Sequence, residues 1–149
     1  GQDKYDNVRI GMNSRLDTIQ AAILLEKIAV FPTEVVSRNE IANIYSKELV
    51  NKFSIPMVPK GYISSWAQYT LVSSERDEVL SVLKKNNIPS VIYYGTCLHQ
   101  QTAFSDLDYK DSDFPVATSL ASTVFSLPMH PYLSKTTQNI ILSNMYVGI

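Results

Sequence analysis

Asn13-Ser14-Arg15 sets an amide, a hydroxyl and a guanidinium side by side just ahead of a helical stretch. A helix start presents free backbone N–H groups and partial positive charge, so these residues could receive an anion such as phosphate. Ordinary helix capping is the other reading of the same residues. Tyr93, Tyr94 and His99 gather hydrogen-bonding side chains at a strand end and in the loop that follows. Polar residues in such loops often line sites, and amphipathic tyrosines also serve plain surfaces. Cys97 lies two residues before His99. A thiolate–imidazole pair needs a base close in space, which spacing does not establish, and a lone cysteine ordinarily packs as a small hydrophobe. Asp106, Asp108, Asp111 and Asp113 form an acidic loop. A calcium loop of the EF-hand type wants an acid at its fifth place, glycine at its sixth and glutamate at its twelfth. Lys110, Asp111 and Ala117 stand there, so no metal site is expected. Two histidines and one cysteine also exclude a four-ligand Cys/His zinc site.

These residues need elements to position them. The first 12 residues read as an extended segment. Ser14 to Asp17 fits a capping box that opens a helix, whose stripe is Leu16, Ile19, Ile23 and Val30. Ala21, Leu24 and Leu25 make that helix apolar on more than one face, so it is expected to be covered on two sides or by another subunit. Pro32 is expected to end it. A second helix follows from Thr33 to Val50. Trp66 to Val72 reads as a strand, then a helix capped by Ser74, then a strand from Ile88 to Tyr94. Gly95 to Pro115 reads as a long loop holding one short turn of helix, of the kind that is usually functional or lies against something else. A short helix near Val116 to Ser122, a strand from Thr123 to Leu127 and a helix opened by Ser134 complete the chain. This order predicts an α/β fold of the α+β kind, with a three- to four-stranded, mostly antiparallel sheet covered by helices.

At 149 residues one domain is expected, spanning 1–149, with enough core to fold without staples. A single cysteine rules out an internal disulfide and points to a reducing, cytoplasmic setting. The polar first residues lack the apolar segment of a signal peptide, and no apolar run reaches the roughly 18 residues of a membrane span. The net charge is −1, with scattered basic residues, which argues against a nucleic-acid surface.

Ile10-Gly11-Met12-Asn13-Ser14-Arg15-Leu16-Asp17, followed by Ile19-Gln20-Ala21-Ala22, closely resembles the signature of the DegT/DnrJ/EryC1/StrS family of pyridoxal-phosphate-dependent nucleotide-sugar aminotransferases. The resemblance continues through Arg38, Ala42 and Tyr45, through Trp66 to Val72 with Arg76, and through Ile88-Pro89-Ser90 with Tyr93, Tyr94, Leu98 and His99. It ends with Phe125-Ser126-Leu127-Pro128-Met129-His130-Pro131. Gly95 and Cys97 stand where the family has prolines.

The resemblance implies that the chain is the C-terminal, small domain of a longer protein, resembling that domain of a fold-type-I transferase. The large domain, with its cofactor-binding lysine, is missing, so this chain alone is expected to be inactive. Lys4 precedes Asn13 in the wrong surroundings to be that lysine. The implied reaction passes an amino group from an amino acid, usually glutamate, to a nucleotide-linked keto-sugar. By resemblance, Asn13 reaches the pyridoxal phosphate of a partner subunit in a homodimer, and Arg15 meets substrate phosphate or carboxylate. Tyr93, Tyr94 and His99 line the sugar or nucleotide side. The alternatives are a non-catalytic regulatory or sugar-binding relative of the same fold, and a free-standing adaptor domain.

Overall fold

Asp17, not Ser14, opens the first helix of the computed structural model, which describes residues 6–11 and 16–146. Asp17 Oδ1 accepts from the Gln20 N–H at 2.9 Å, and Gln20 Oε1 accepts from the Asp17 N–H at 3.2 Å. This reciprocal box satisfies two donors at the helix start. The acid expected as the third residue of the box is itself the cap; Ser14 lies outside the described residues.

The helix, α1 (Thr18–Leu49), runs straight through Pro32, so the two helices expected on either side of it are one. A proline inside a helix removes one hydrogen bond and crowds the carbonyl four residues earlier. Two things hold the far half in register. Ile41, Ala42, Tyr45 and Leu49 are buried in the core at helical spacing. Asn39 also donates to the carbonyls of Val35 (2.7 Å) and Ser64 (3.0 Å) and accepts from Trp66 Nε1 (3.0 Å). Arg38 donates to the Trp66 carbonyl at 2.9 Å. These bonds clamp Trp66, whose φ of 47° is the left-handed region that a bulky side chain rarely adopts.

Strands β1 (Tyr69–Val72) and β2 (Val124–Leu127) pair antiparallel, with Tyr69 opposite Leu127 and Val72 opposite Val124. Single antiparallel bridges flank the pair, Ser54 to Val72 on one side and Val91 to Ser126 on the other. The expected sheet is therefore a two-stranded ladder with one bridge at each edge. Ile88 to Tyr94 contributes a bridge rather than a strand, because Pro89 has no N–H to donate and the Ile88 N–H turns back to the Leu83 carbonyl.

Helix α2 (Arg76–Lys85) has Glu75 at its cap position with no side-chain cap bond, correcting the assignment to Ser74. Ser73 Oγ instead accepts from the Glu75 N–H at 3.1 Å. Helix α3 (Pro115–Thr123) leads directly into β2. Helix α4 (Lys135–Asn144) is capped by Ser134, as the sequence predicts. The core gathers Tyr45 and Leu49, Tyr69 and Leu71, Val79 and Leu83, Phe125 and Leu127, and Ile141 and Met145. Buried Gln138 ties α4 to α1 by donating to the Ile41 carbonyl at 2.9 Å. No helix among the described residues is long and apolar enough to cross a membrane.

Candidate functional site

The run from Leu98 to Asp113, within the stretch expected as a loop with one short helical turn, winds as three 3₁₀ turns: Leu98–Gln100, Thr102–Leu107 and Asp111–Asp113. Short turns let the chain fold back on itself within a few residues. Their return carries Asp111 and Phe114 back to His99. Together with α3 they enclose a pocket of about 530 Å3, lined by Tyr93, Tyr94, His99, Phe104, Phe114 and Leu120 among others.

The three residues singled out at this end of the chain thus share one pocket. Tyr93 and Tyr94 meet edge to face with centroids 5.6 Å apart. His99 lies tilted on the Phe114 ring at 4.8 Å, and Tyr109 meets the same ring at 5.3 Å. The His99 side chain is only 7% exposed, and its Nε2 lies 3.2 Å from Asp111 Oδ1. Gln100 Nε2 donates to the same oxygen at 2.8 Å. The Gln100 hydrogen bond, and then His99, hold the Asp111 carboxyl below its ordinary range. Cys97 also lines the pocket, and its backbone N–H donates to Gln100 Oε1 at 2.9 Å.

The N-terminal segment is strapped to this loop. The Asn7 N–H donates to Gln101 Oε1 at 2.9 Å, and the Ala103 N–H donates to the Asn7 carbonyl at 2.8 Å. Thr102 Oγ1 donates to Asp6 Oδ1 at 3.0 Å. Gln101 is buried beneath these bonds. Asn13 and Arg15 lie outside the described residues. The strap fixes the chain six residues ahead of Asn13 against the loop that carries His99.

The sequence reading missed the carboxylate that holds His99. Asp111 belongs to the acidic loop weighed as a calcium site, and no group of three or more metal-ligating side chains exists among the described residues. Asp111 and His99 are 12 positions apart in a stretch without periodicity, so no spacing rule joins them.

Among the described residues that line the pocket there is no lysine or arginine, so these residues offer neither an amine for an aldehyde nor a cation for a phosphate. Lys84 lies on a different cleft, with Leu80, Asn87 and Ile88. Hydroxyls, an imidazole and aromatic faces suit a hydroxyl-bearing ring instead.

Residues 1–145 match the DegT/DnrJ/EryC1/StrS aminotransferase family. The chain is 39% identical over 143 residues to UDP-2-acetamido-2-deoxy-3-oxo-D-glucuronate aminotransferase of Pseudomonas aeruginosa, covering 95% of this chain and 39% of that protein. It is 34% identical over 146 residues to the pleiotropic regulatory protein of Geobacillus stearothermophilus, again covering 95% and 39%. The crystal structure of a DegT DnrJ EryC1 StrS aminotransferase from Brucella abortus superposes with a TM-score of 0.82 at 48% identity, covering 97% of this chain and 39% of that one. The chain thus spans about two fifths of the length of the relatives it matches. With the match running through nearly every residue and the same fold in a relative of 48% identity, the chain belongs to the DegT/DnrJ/EryC1/StrS aminotransferase family.

Proposed function

We propose that this chain is the C-terminal domain of a cytoplasmic, homodimeric aminotransferase that moves an amino group from an amino acid, glutamate by family resemblance, to a nucleotide-linked keto-sugar. Pyridoxal phosphate, held mainly by a large domain, supplies the electron sink for that transfer. In this reading the chain's own residues bind and orient the acceptor. Tyr93 and Tyr94 offer ring faces and hydroxyls to the sugar nucleotide, and His99 offers a ring nitrogen. Arg15 meets a substrate phosphate or carboxylate, for which its planar fork is suited. Asn13 donates to the cofactor phosphate across the dimer interface. The observation that carries the reading is the strap from Asn7 to Gln101, which draws the segment leading to Asn13 and Arg15 toward the loop bearing His99. Two sets of residues far apart in sequence then serve one composite site.

A visible absorption spectrum tests it. The full-length protein that carries these residues, mixed with pyridoxal phosphate, should show a visible cofactor band. The band should be lost on adding glutamate and restored by a nucleotide-linked keto-sugar.

A second reading has its own support: the Geobacillus stearothermophilus relative is a pleiotropic regulatory protein. A regulator of this fold would bind a sugar nucleotide without amino transfer. A spectrum unchanged by glutamate, in a protein that still binds the nucleotide, favours it.

A further inference from the structure

We infer that Asp111 is a positioning residue: its carboxylate fixes which nitrogen of His99 carries the proton and so presents Nδ1 as an acceptor to a hydroxyl of the bound sugar. The inference rests on the proposed role of the pocket in binding a sugar nucleotide.

Three observations carry it. An ionised carboxylate only accepts hydrogen bonds, so the contact between Asp111 Oδ1 and His99 Nε2 requires Nε2 to donate. In the neutral ring Nδ1 is then the acceptor. Gln100, which also donates to Oδ1, keeps that oxygen in place. Second, Nδ1 makes no hydrogen bond among the described residues, whereas no buried side-chain nitrogen or oxygen among them lacks a partner. Nδ1 therefore keeps some accessible surface, on a ring that lines the pocket and is otherwise almost wholly covered. Third, the ring cannot easily turn away, because one face lies on Phe114, whose own ring is braced by Tyr109. A buried, oriented ring with one free acceptor beside an aromatic wall is a place for a donor. Sugar hydroxyls are donors that also present C–H faces to aromatic rings. The same logic of an outer carboxylate setting the tautomer of an inner histidine applies at metal sites, where such partners matter nearly as much as the ligands.

The test is a double-mutant cycle in the full-length protein. Its readouts are nucleotide-sugar affinity by calorimetry and the Michaelis constant for the same compound. Asp111→Ala should weaken binding about three- to tenfold, the range for one hydrogen bond, while the turnover rate at saturation changes little. In a His99→Ala background, Asp111→Ala should change nothing further. Nitrogen-15 spectra of the imidazole should show Nε2 protonated in the parent protein and a mixture of tautomers in Asp111→Ala. Binding equal to the parent in Asp111→Ala, or the same loss in the His99→Ala background, overturns the inference. A parent protein that binds no nucleotide sugar fails the underlying reading of the pocket instead. Should Asp111→Ala not fold, Asp111→Asn keeps an acceptor oxygen at the same place and should retain most of the affinity. Loss in Asp111→Asn equal to that of His99→Ala also overturns it.

Discussion

His99 and its neighbours show how chemistry was partly legible one residue at a time. Tyr93, Tyr94 and His99 stood out because polar side chains cluster at a loop, and they do share a pocket. Asp111, Phe114 and Gln100, which orient His99, were not legible, because 3₁₀ turns bring them back without a repeating pattern. Since Gln100 contributes most to lowering the Asp111 carboxyl, Gln100→Ala should raise its titration midpoint, read from its carboxyl carbon by NMR. A depressed carboxyl contributes stability above its unfolded value and loses it as pH falls through the folded value. The loop should therefore loosen only in acid, below the ordinary carboxylate range, and Gln100→Ala should move that loosening to higher pH. Asn13 carries a second residue-scale prediction. Asn13→Asp keeps the size of the side chain but sets a negative charge against the cofactor phosphate. The full-length protein should then bind pyridoxal phosphate at least about tenfold more weakly, since a hydrogen bond to a charged group contributes roughly 1.5–3 kcal/mol. Unchanged affinity by equilibrium titration would contradict the phosphate role of Asn13.

At the scale of elements, the sequence was read correctly where one local signal dominates. Ser134 caps α4, and the last four residues of the run expected as a strand from Trp66 to Val72 form β1, while Trp66, at a φ of 47°, lies outside it. Reading failed where a tertiary contact overrides a local rule. Pro32 should end a helix, yet α1 continues because Asn39, Tyr45 and Leu49 anchor the turns beyond it. Ile88 to Tyr94 has strand composition, yet Pro89 breaks its ladder. Ser74 looked like a cap, yet Glu75 takes the position. Pro32 also sits on the exposed part of α1, where alanine can restore the missing N–H donor without disturbing the core. An interior proline costs a helix about 3 kcal/mol relative to alanine. In Pro32→Ala, amide hydrogen exchange between Ile28 and Val36 should slow by about tenfold or more. Equal exchange rates would mean that packing, not backbone bonding, sets the stability of this stretch.

The whole molecule divides along α1. Its second half is embedded in the core, whereas its first half carries Ile19 (75% exposed), Leu25 (71% exposed), Ile23 and Ile28 into solvent. Exposed apolar patches beyond a few hundred Å2 mark interfaces. The 149-residue chain should therefore self-associate or bind an apolar dye, and Ile19→Lys with Leu25→Glu should abolish this in sedimentation without unfolding the core. A strict monomer that binds no dye would contradict it. The proposed function, amino transfer to a nucleotide-linked keto-sugar by a longer protein that contains this chain, rests on the family match. The most direct measurement is isotope transfer. The full-length protein, given pyridoxal phosphate, nitrogen-15 glutamate and a nucleotide-linked keto-sugar, should yield a nitrogen-15 amino-sugar nucleotide, seen by mass spectrometry. A protein that binds both cofactor and sugar nucleotide yet transfers no label to that or any other keto-sugar nucleotide would contradict the account.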